Sequence, residues 1–124
     1  IMWFNESVFY QIYTLNFWSE DIKNLLLQKS KENIDIKIIF PSLKKVESNI
    51  DEIQLFKNNN IKTKEILKPN IHAKAILIDE KYLYLWSINF SDESMTKNRE
   101  IWLIIKNQDI ILKFLEIFNN DFSN

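Results

Sequence analysis

Two hydrophobic periods alternate along this chain. Residues Ser7 to Leu15 hold Val, Phe, Tyr and Ile densely enough to predict a β-strand, because such side chains pack well on a pleated surface. The stretch that follows switches to a helical period. Ser19 stands as an N-cap, Glu20 and Asp21 occupy the positive end of the helix dipole, and Ile22, Leu25 and Leu26 form one apolar stripe. The run Ile34 to Phe40 alternates again and predicts a second strand, stopped by Pro41. Ser48 and Asp51 have the spacing of a capping box. They open a short helix that turns Ile53 and Phe56 toward a core and ends at Asn58-Asn59-Asn60. Ile61 to Leu67 predicts a third strand. Ile71 to Asp79 and Tyr82 to Ile88 predict two more, joined by a short Glu80-Lys81 turn, and Arg99 to Lys106 predicts another. Asn107 caps a last helix with Ile110, Phe114, Ile117 and Phe118 on one face. Strands interleaved with helices predict an α/β fold: a mixed β-sheet flanked by helices. With 124 residues, no internal repeat and no low-complexity linker, the chain reads as one domain over residues 1–124.

Composition narrows the chemistry. Sixteen basic and seventeen acidic side chains leave a net charge of -1, which argues against a broadly basic nucleic-acid binder while leaving room for a local basic groove. The absence of cysteine removes disulfides and thiolate metal sites, and a single histidine makes a histidine-rich metal site equally untenable. No apolar run reaches the roughly 18–20 residues that span a bilayer. The segment Ile1 to Phe17 lacks the charged and apolar regions of a signal peptide. The chain opens on Ile1 rather than Met, which suggests a fragment of something longer.

The informative stretch is His72-Ala73-Lys74-Ala75-Ile76-Leu77-Ile78-Asp79, followed by Trp86-Ser87-Ile88-Asn89. Side chains two apart on a strand share a face, so His72 and Lys74 are expected to point the same way, as are Ser87 and Asn89 on the next strand. Pairing those strands would gather a nucleophile, a cation and two neutral hydrogen-bonding groups into one patch. A tetrahedral phosphate needs that set: lysine neutralises nonbridging oxygens, an amide donates to them, and an imidazole attacks phosphorus. Asp79 falls on the opposite strand face, which suits scaffolding better than direct catalysis.

These residues resemble the phospholipase D superfamily, whose motif is H-x-K-x4-D-x6-G-S-x-N. His72, Lys74, Asp79, Ser87 and Asn89 match at the family spacing over residues 72–89, and Trp86 stands where the family has glycine. Asn98-Arg99-Glu100 resembles the segment whose acidic residue hydrogen-bonds the nucleophilic histidine. The resemblance covers nearly the whole chain and implies one phospholipase D-like lobe, corresponding to the C-terminal half of a two-lobe enzyme. It implies a catalytic set of His72, Lys74, Asp79 and Glu100, with Lys74, Ser87 and Asn89 binding the phosphate. His72 would form a covalent phosphohistidine, Glu100 would orient the imidazole, and no metal or other cofactor would be required. A histidine from a second lobe would protonate the leaving oxygen. That lobe would come from a homodimer or, as slightly favoured, from a missing N-terminal half. The implied activity is phosphodiester hydrolysis or phosphatidyl transfer on a phospholipid or general phosphodiester. A nucleic-acid endonuclease and a noncatalytic lobe serving dimerisation are the alternatives.

Each residue also has a plainer reading. A lone histidine in an apolar strand is by default structural, but lysine, aspartate, serine and asparagine at the four required offsets rarely coincide by chance. Glu100 reads equally well as a surface acid. Lys44, Lys45, Lys62, Lys64 and Lys68 read as a solvated face, with a nucleic-acid strip as the minority view. The glycine count is zero, where about 7% is usual, and there are four tryptophans. A genetic code that reads UGA as glycine would turn Trp86 and Trp102 into glycine, complete the motif, and make Trp3 and Trp18 suspect. An AT-rich gene that avoids glycine codons explains the same composition with real tryptophans, and a UGG codon at position 86 would end the first idea.

Overall fold

The computed structural model describes residues 9–13, 20–86 and 101–124. Its elements run β1 (Phe9–Tyr13), α1 (Glu20–Lys31), β2 (Asp35–Pro41), a 3-10 turn (Glu47–Asn49), α2 (Ile50–Asn58), β3 (Lys62–Ile66), β4 (Ala75–Ile78), β5 (Tyr82–Trp86), β6 (Trp102–Ile105) and α3 (Gln108–Ser123). The strands form one sheet in the order β3-β2-β1-β4-β5-β6. β1, β2 and β3 pair in parallel, whereas β4, β5 and β6 pair antiparallel, with β4 joining the halves against β1. The expected α/β fold with a mixed sheet flanked by helices is therefore the observed one.

The split follows from the connections. Parallel neighbours need a crossover, and α1 and the 3-10/α2 segment supply the two that link β1, β2 and β3. β4 and β5 are joined by a tight turn and can only run antiparallel. Register then sets the two faces. Thr63, Ile38, Ile12, Ile76, Tyr84 and Ile104 form one continuous row across all six strands. That face packs against Ile22 and Leu26 of α1 and Ile53 and Phe56 of α2. On the other face Ile39, Ala75, Leu77 and Leu83 meet Ile111, Leu115 and Phe118 of α3. β2 is buried on both faces, so its alternation gives way to a continuous apolar run at its end.

Several expectations change in detail. Ser48 caps nothing: the chain enters α2 through the 3-10 turn, Asn49 occupies the N-cap position, and no side chain caps the first turn. Pro41 does stop β2, as its last residue and still paired with Ile66. The stripe expected on the last helix is rotated. Ile110 and Ile117 are each 49% exposed, while Ile111 and Phe118 are at 1% and 0%. Asn107 does cap that helix, its Oδ1 accepting from the Ile110 N–H at 3.1 Å. Ser19, proposed as the cap of α1, lies outside the described residues.

Four described residues adopt left-handed φ, the region where glycine is usual, and none is glycine: Asn33 (63°), Asn60 (63°), Asp79 (56°) and Glu80 (57°). Asn33 and Asn60 end α1 and α2 in matching fashion. Asn33 N–H donates to the Ser30 carbonyl and Ile34 N–H to Lys29, while Asn60 N–H donates to Lys57 and Ile61 N–H to Phe56. This is the Schellman arrangement, built on asparagine, whose short amide tolerates the left-handed region better than other side chains. Asp79 and Glu80 form the β4–β5 turn, closed by Lys81 N–H to the Ile78 carbonyl at 3.0 Å. The turn is thus shifted one residue toward the N-terminus from the expected Glu80-Lys81.

Candidate active site

The sheet gathers its site at one end. β1, β2 and β3 all run toward Tyr13, Pro41 and Ile66, and the pairing of Tyr13 with Ala75 brings the start of β4 to the same end. Ligands in open α/β sheets bind at such carboxyl ends, where loops leave the strands and backbone groups are free. The segment from Leu67 to Lys74 crosses this end through a cis Lys68–Pro69 peptide and carries the histidine.

His72 and Lys74 were expected on a strand. They lie instead in the irregular segment just before β4, which begins only at Ala75. The two residues nevertheless meet. Lys74 Nζ sits 3.2 Å from His72 Nδ1 and donates to the His72 carbonyl at 3.1 Å. An ammonium has donors only, so this contact suits the tautomer in which Nδ1 accepts. His72 is exposed and Lys74 half-buried.

Asp79 does not join them. It occupies the turn at the far end of β4, and the strand's rise puts it on the order of 16 Å from Lys74 along the chain. Ser87, Asn89 and Glu100 lie outside the described residues. The backbones of Trp86 and Trp102 are register partners, one step beyond the Leu85–Leu103 pair. Because Ala75 pairs with Leu85, that step is the one at which β4 gives way to Lys74.

A contact no sequence pattern signalled holds the histidine segment to its neighbour: Lys45 Nζ donates to Asn70 Oδ1 at 3.2 Å, joining the loop after β2 to the loop after β3. Among the described residues no cluster of three or more His, Cys, Asp or Glu side chains is placed to hold a metal. No described helix is long and apolar enough to cross a membrane.

Residues 5–122 match the family described as cardiolipin synthase, PLD-like domain. The chain belongs to the phospholipase D-like family. Its fold agrees with solved members. NucT from Helicobacter pylori superposes with a TM-score of 0.83 at 21% identity, covering 98% of this chain and 84% of that one. Nuc from Salmonella typhimurium, a phospholipase D family member, gives 0.84 at 21% identity, covering 98% and 83%. A phosphatidylserine synthase from Haemophilus influenzae gives 0.68 at 14% identity, with 98% of this chain covering 34% of that one. No curated protein sequence matches the chain. At these identities the structures speak to the fold of this phospholipase D-like lobe and not to its substrate.

Proposed function

We propose that this phospholipase D-like lobe cleaves or transfers phosphodiesters, with His72 as the nucleophile. The observation that carries the reading is the His72–Lys74 pair, with Nδ1 and Nζ 3.2 Å apart at the carboxyl end of the parallel strands. A nonbridging phosphate oxygen is a stronger acceptor for an ammonium than an imidazole nitrogen. Substrate would therefore draw Lys74 off Nδ1, and the single imidazole proton would move through solvent to that nitrogen, leaving the Nε2 lone pair free for attack. The imidazole nitrogen bonds to phosphorus, the ester P–O bond breaks, and the leaving oxygen takes a proton from a histidine of a second lobe. Water or an alcohol then gives its proton to that second-lobe histidine as its oxygen attacks phosphorus, the P–N bond breaks, and both histidines are restored. Ser87 and Asn89 would bind the phosphate beside Lys74, and Glu100 would receive the Nδ1 proton's hydrogen bond. Asp79, at the far turn, would act on the scaffold alone.

The second lobe would come from another copy of the chain or from a further segment of a longer one, and the mass in solution separates the two. Turnover of a chromogenic phosphodiester by the purified chain in EDTA tests the chemistry. Activity should survive EDTA and fall at least about a thousand-fold in His72→Ala. Turnover that persists without His72 would end the reading.

The register of Trp86 beside the start of β4 favours one second reading, a lobe whose door is blocked. Activity that appears only in Trp86→Gly would identify a competent site behind an indole. A confirmed dimer still inactive after that change would be a structural lobe.

A further inference from the structure

The lysines that composition treats as one solvated face separate into two groups in the fold. Lys62 begins β3 at the end away from His72, where its Nζ meets Asp35 at 3.2 Å. Lys44 and Lys45 follow β2, and Lys68 follows β3, so all three sit in the loops that frame His72. These two loops, residues 42–46 and 67–74, hold Lys44, Lys45, Lys68 and Lys74 and no carboxylate, a local charge of +4 in a chain of net -1.

Four lysines elsewhere pair with carboxylates, while Lys31, Lys64 and Lys81 stand in no ion pair among the described residues. Lys23 meets Glu20 and Glu52, Lys29 meets Glu32, Lys57 meets Glu65, and Lys113 meets Glu116. Among the described residues no ion pair engages Lys44, Lys45 or Lys68. The Lys45–Asn70 hydrogen bond fixes one of these cations two residues from His72, a span of at most about 7 Å of chain. Next to the same loop, a groove of about 430 Å3 opens between Lys64, Glu65, Leu67, Lys68 and Pro69 on one side and Asn120, Asp121 and the C-cap Asn124 at the end of α3 on the other.

We infer that Lys44, Lys45 and Lys68 form a phosphate track for a nucleic-acid strand, which selects a chain of successive phosphates rather than a single lipid headgroup. The inference rests on the placement of the active site at His72 and deepens that reading by naming its substrate class. A strand threading His72 presents flanking phosphates at spacings that cations on the neighbouring loops can meet. The groove has apolar Leu67 and Pro69, the amides of Asn120 and Asn124, and the carboxylates of Glu65 and Asp121, so it offers room for an uncharged nucleoside while the phosphates stay on the lysines. A flat anionic membrane would use the lysines and leave the groove empty.

Binding tests the inference independently of catalysis. A fluorescein-labelled 20-mer of single-stranded DNA is titrated with the full chain, by anisotropy, at several salt concentrations. Four phosphate contacts, the three track lysines and Lys74, predict a slope of log affinity against log salt of about −3, from about −0.7 per contact. Lys44→Ala/Lys45→Ala/Lys68→Ala should flatten that slope to about −0.7, the share of Lys74, and weaken binding at least about tenfold at low salt. Lys44→Ala/Lys68→Ala, which keeps the Lys45–Asn70 bond, should lose about half of the slope. Lys31→Ala/Lys81→Ala/Lys113→Ala, equal in charge and remote, should change neither. An unaltered slope in the triple variant overturns the track, as does equal loss in the remote triple. Lysine-dependent binding to phosphatidylglycerol vesicles with none to the 20-mer also overturns it and assigns the rim to a membrane. The two readings fail separately. Track-dependent DNA binding without His72-dependent turnover removes the catalytic reading alone, and turnover without track-dependent binding removes only this one.

Discussion

The two faces of the sheet are covered in different ways. One is closed by α1 and α2, two short helices that each send in a narrow stripe: Ile22 and Leu26 from the first, Ile53 and Phe56 from the second. The other is closed by α3 alone, through Ile111, Leu115 and Phe118, with Phe114 and Phe122 at the margin. α2 leaves Ile50 and Leu55 partly exposed beside that stripe. α3 carries apolar side chains over a wider arc, broken by Lys113 and Glu116, so Ile110, Leu112 and Ile117 remain in solvent. A helix with one stripe has one way to lie on a sheet. A helix with several must be told by its surroundings, here the ring stack of Phe114, Phe118 and Phe122 with centroids 6.0 Å apart and Lys37 Nζ 5.4 Å from the Phe122 ring.

The sharpest way to break this comparison is to truncate neighbours on α3. Phe118 is fully buried, so Phe118→Ala should cost about 3–5 kcal/mol, the transfer loss plus the cavity it leaves. Ile117, half exposed, should cost under about 1 kcal/mol as alanine. Urea unfolding of both variants measures the difference. Equal losses would mean that α3 is rotated from the face described here.

The same contrast explains what could be read in advance. The alternation in Asp35–Pro41 and the stripe of α1 each had one solution, and those elements emerged where their periods put them. The stripe of α3 was misassigned by one residue because Ile110-Ile111-Leu112 fits either phase. At the candidate site, the pairing of His72 with Lys74 was legible because the motif sets their spacing. Their place off the strand was not, since the apolar run Ile71 to Ile78 looks continuous until the pairing of β1 with β4 ends at Ala75. The Lys45–Asn70 bridge joins residues 25 apart, and no local pattern announces it. The burial of Lys23 was equally invisible, because its half-hidden partner Glu52 comes from α2 and meets it only once α1 and α2 pack, whereas the i,i+3 pairs Glu20–Lys23 and Lys29–Glu32 are local.

A smaller effect separates the helix ends from the helix faces. Asn60 closes α2 at φ 63° with Ile61 N–H on the Phe56 carbonyl, and Asn33 closes α1 in the same way. Alanine at either position would force a Cβ into the left-handed region and cost about 1 kcal/mol. Glycine should be neutral within a few tenths, since relief of strain is offset by the freedom glycine gains when unfolded. The pattern across four variants, read as unfolding midpoints, tests whether asparagine does glycine's work here. An alanine as stable as the native residue would break that equivalence.

The β4–β5 turn sets the smallest and most particular test. Asp79 and Glu80 are both left-handed, and glutamate lacks the short side chain that lets aspartate bond its own backbone there. Glu80→Gly removes strain of about 1–2 kcal/mol and returns part of it as unfolded-state entropy, so a net gain of about 0.5–1 kcal/mol is expected. Asp79→Gly should gain less. None of the four left-handed positions among the described residues holds tryptophan, so the fold meets its sharpest backbone demands without glycine and without the residue proposed to stand for it. That is the behaviour of a gene that avoids glycine codons. It leaves Trp86 and Trp102, paired across β5 and β6 at the edge of the site, as the positions where the codon itself decides. If Glu80→Gly gives no gain in midpoint, the turn is not strained, and the argument from left-handed positions falls with it.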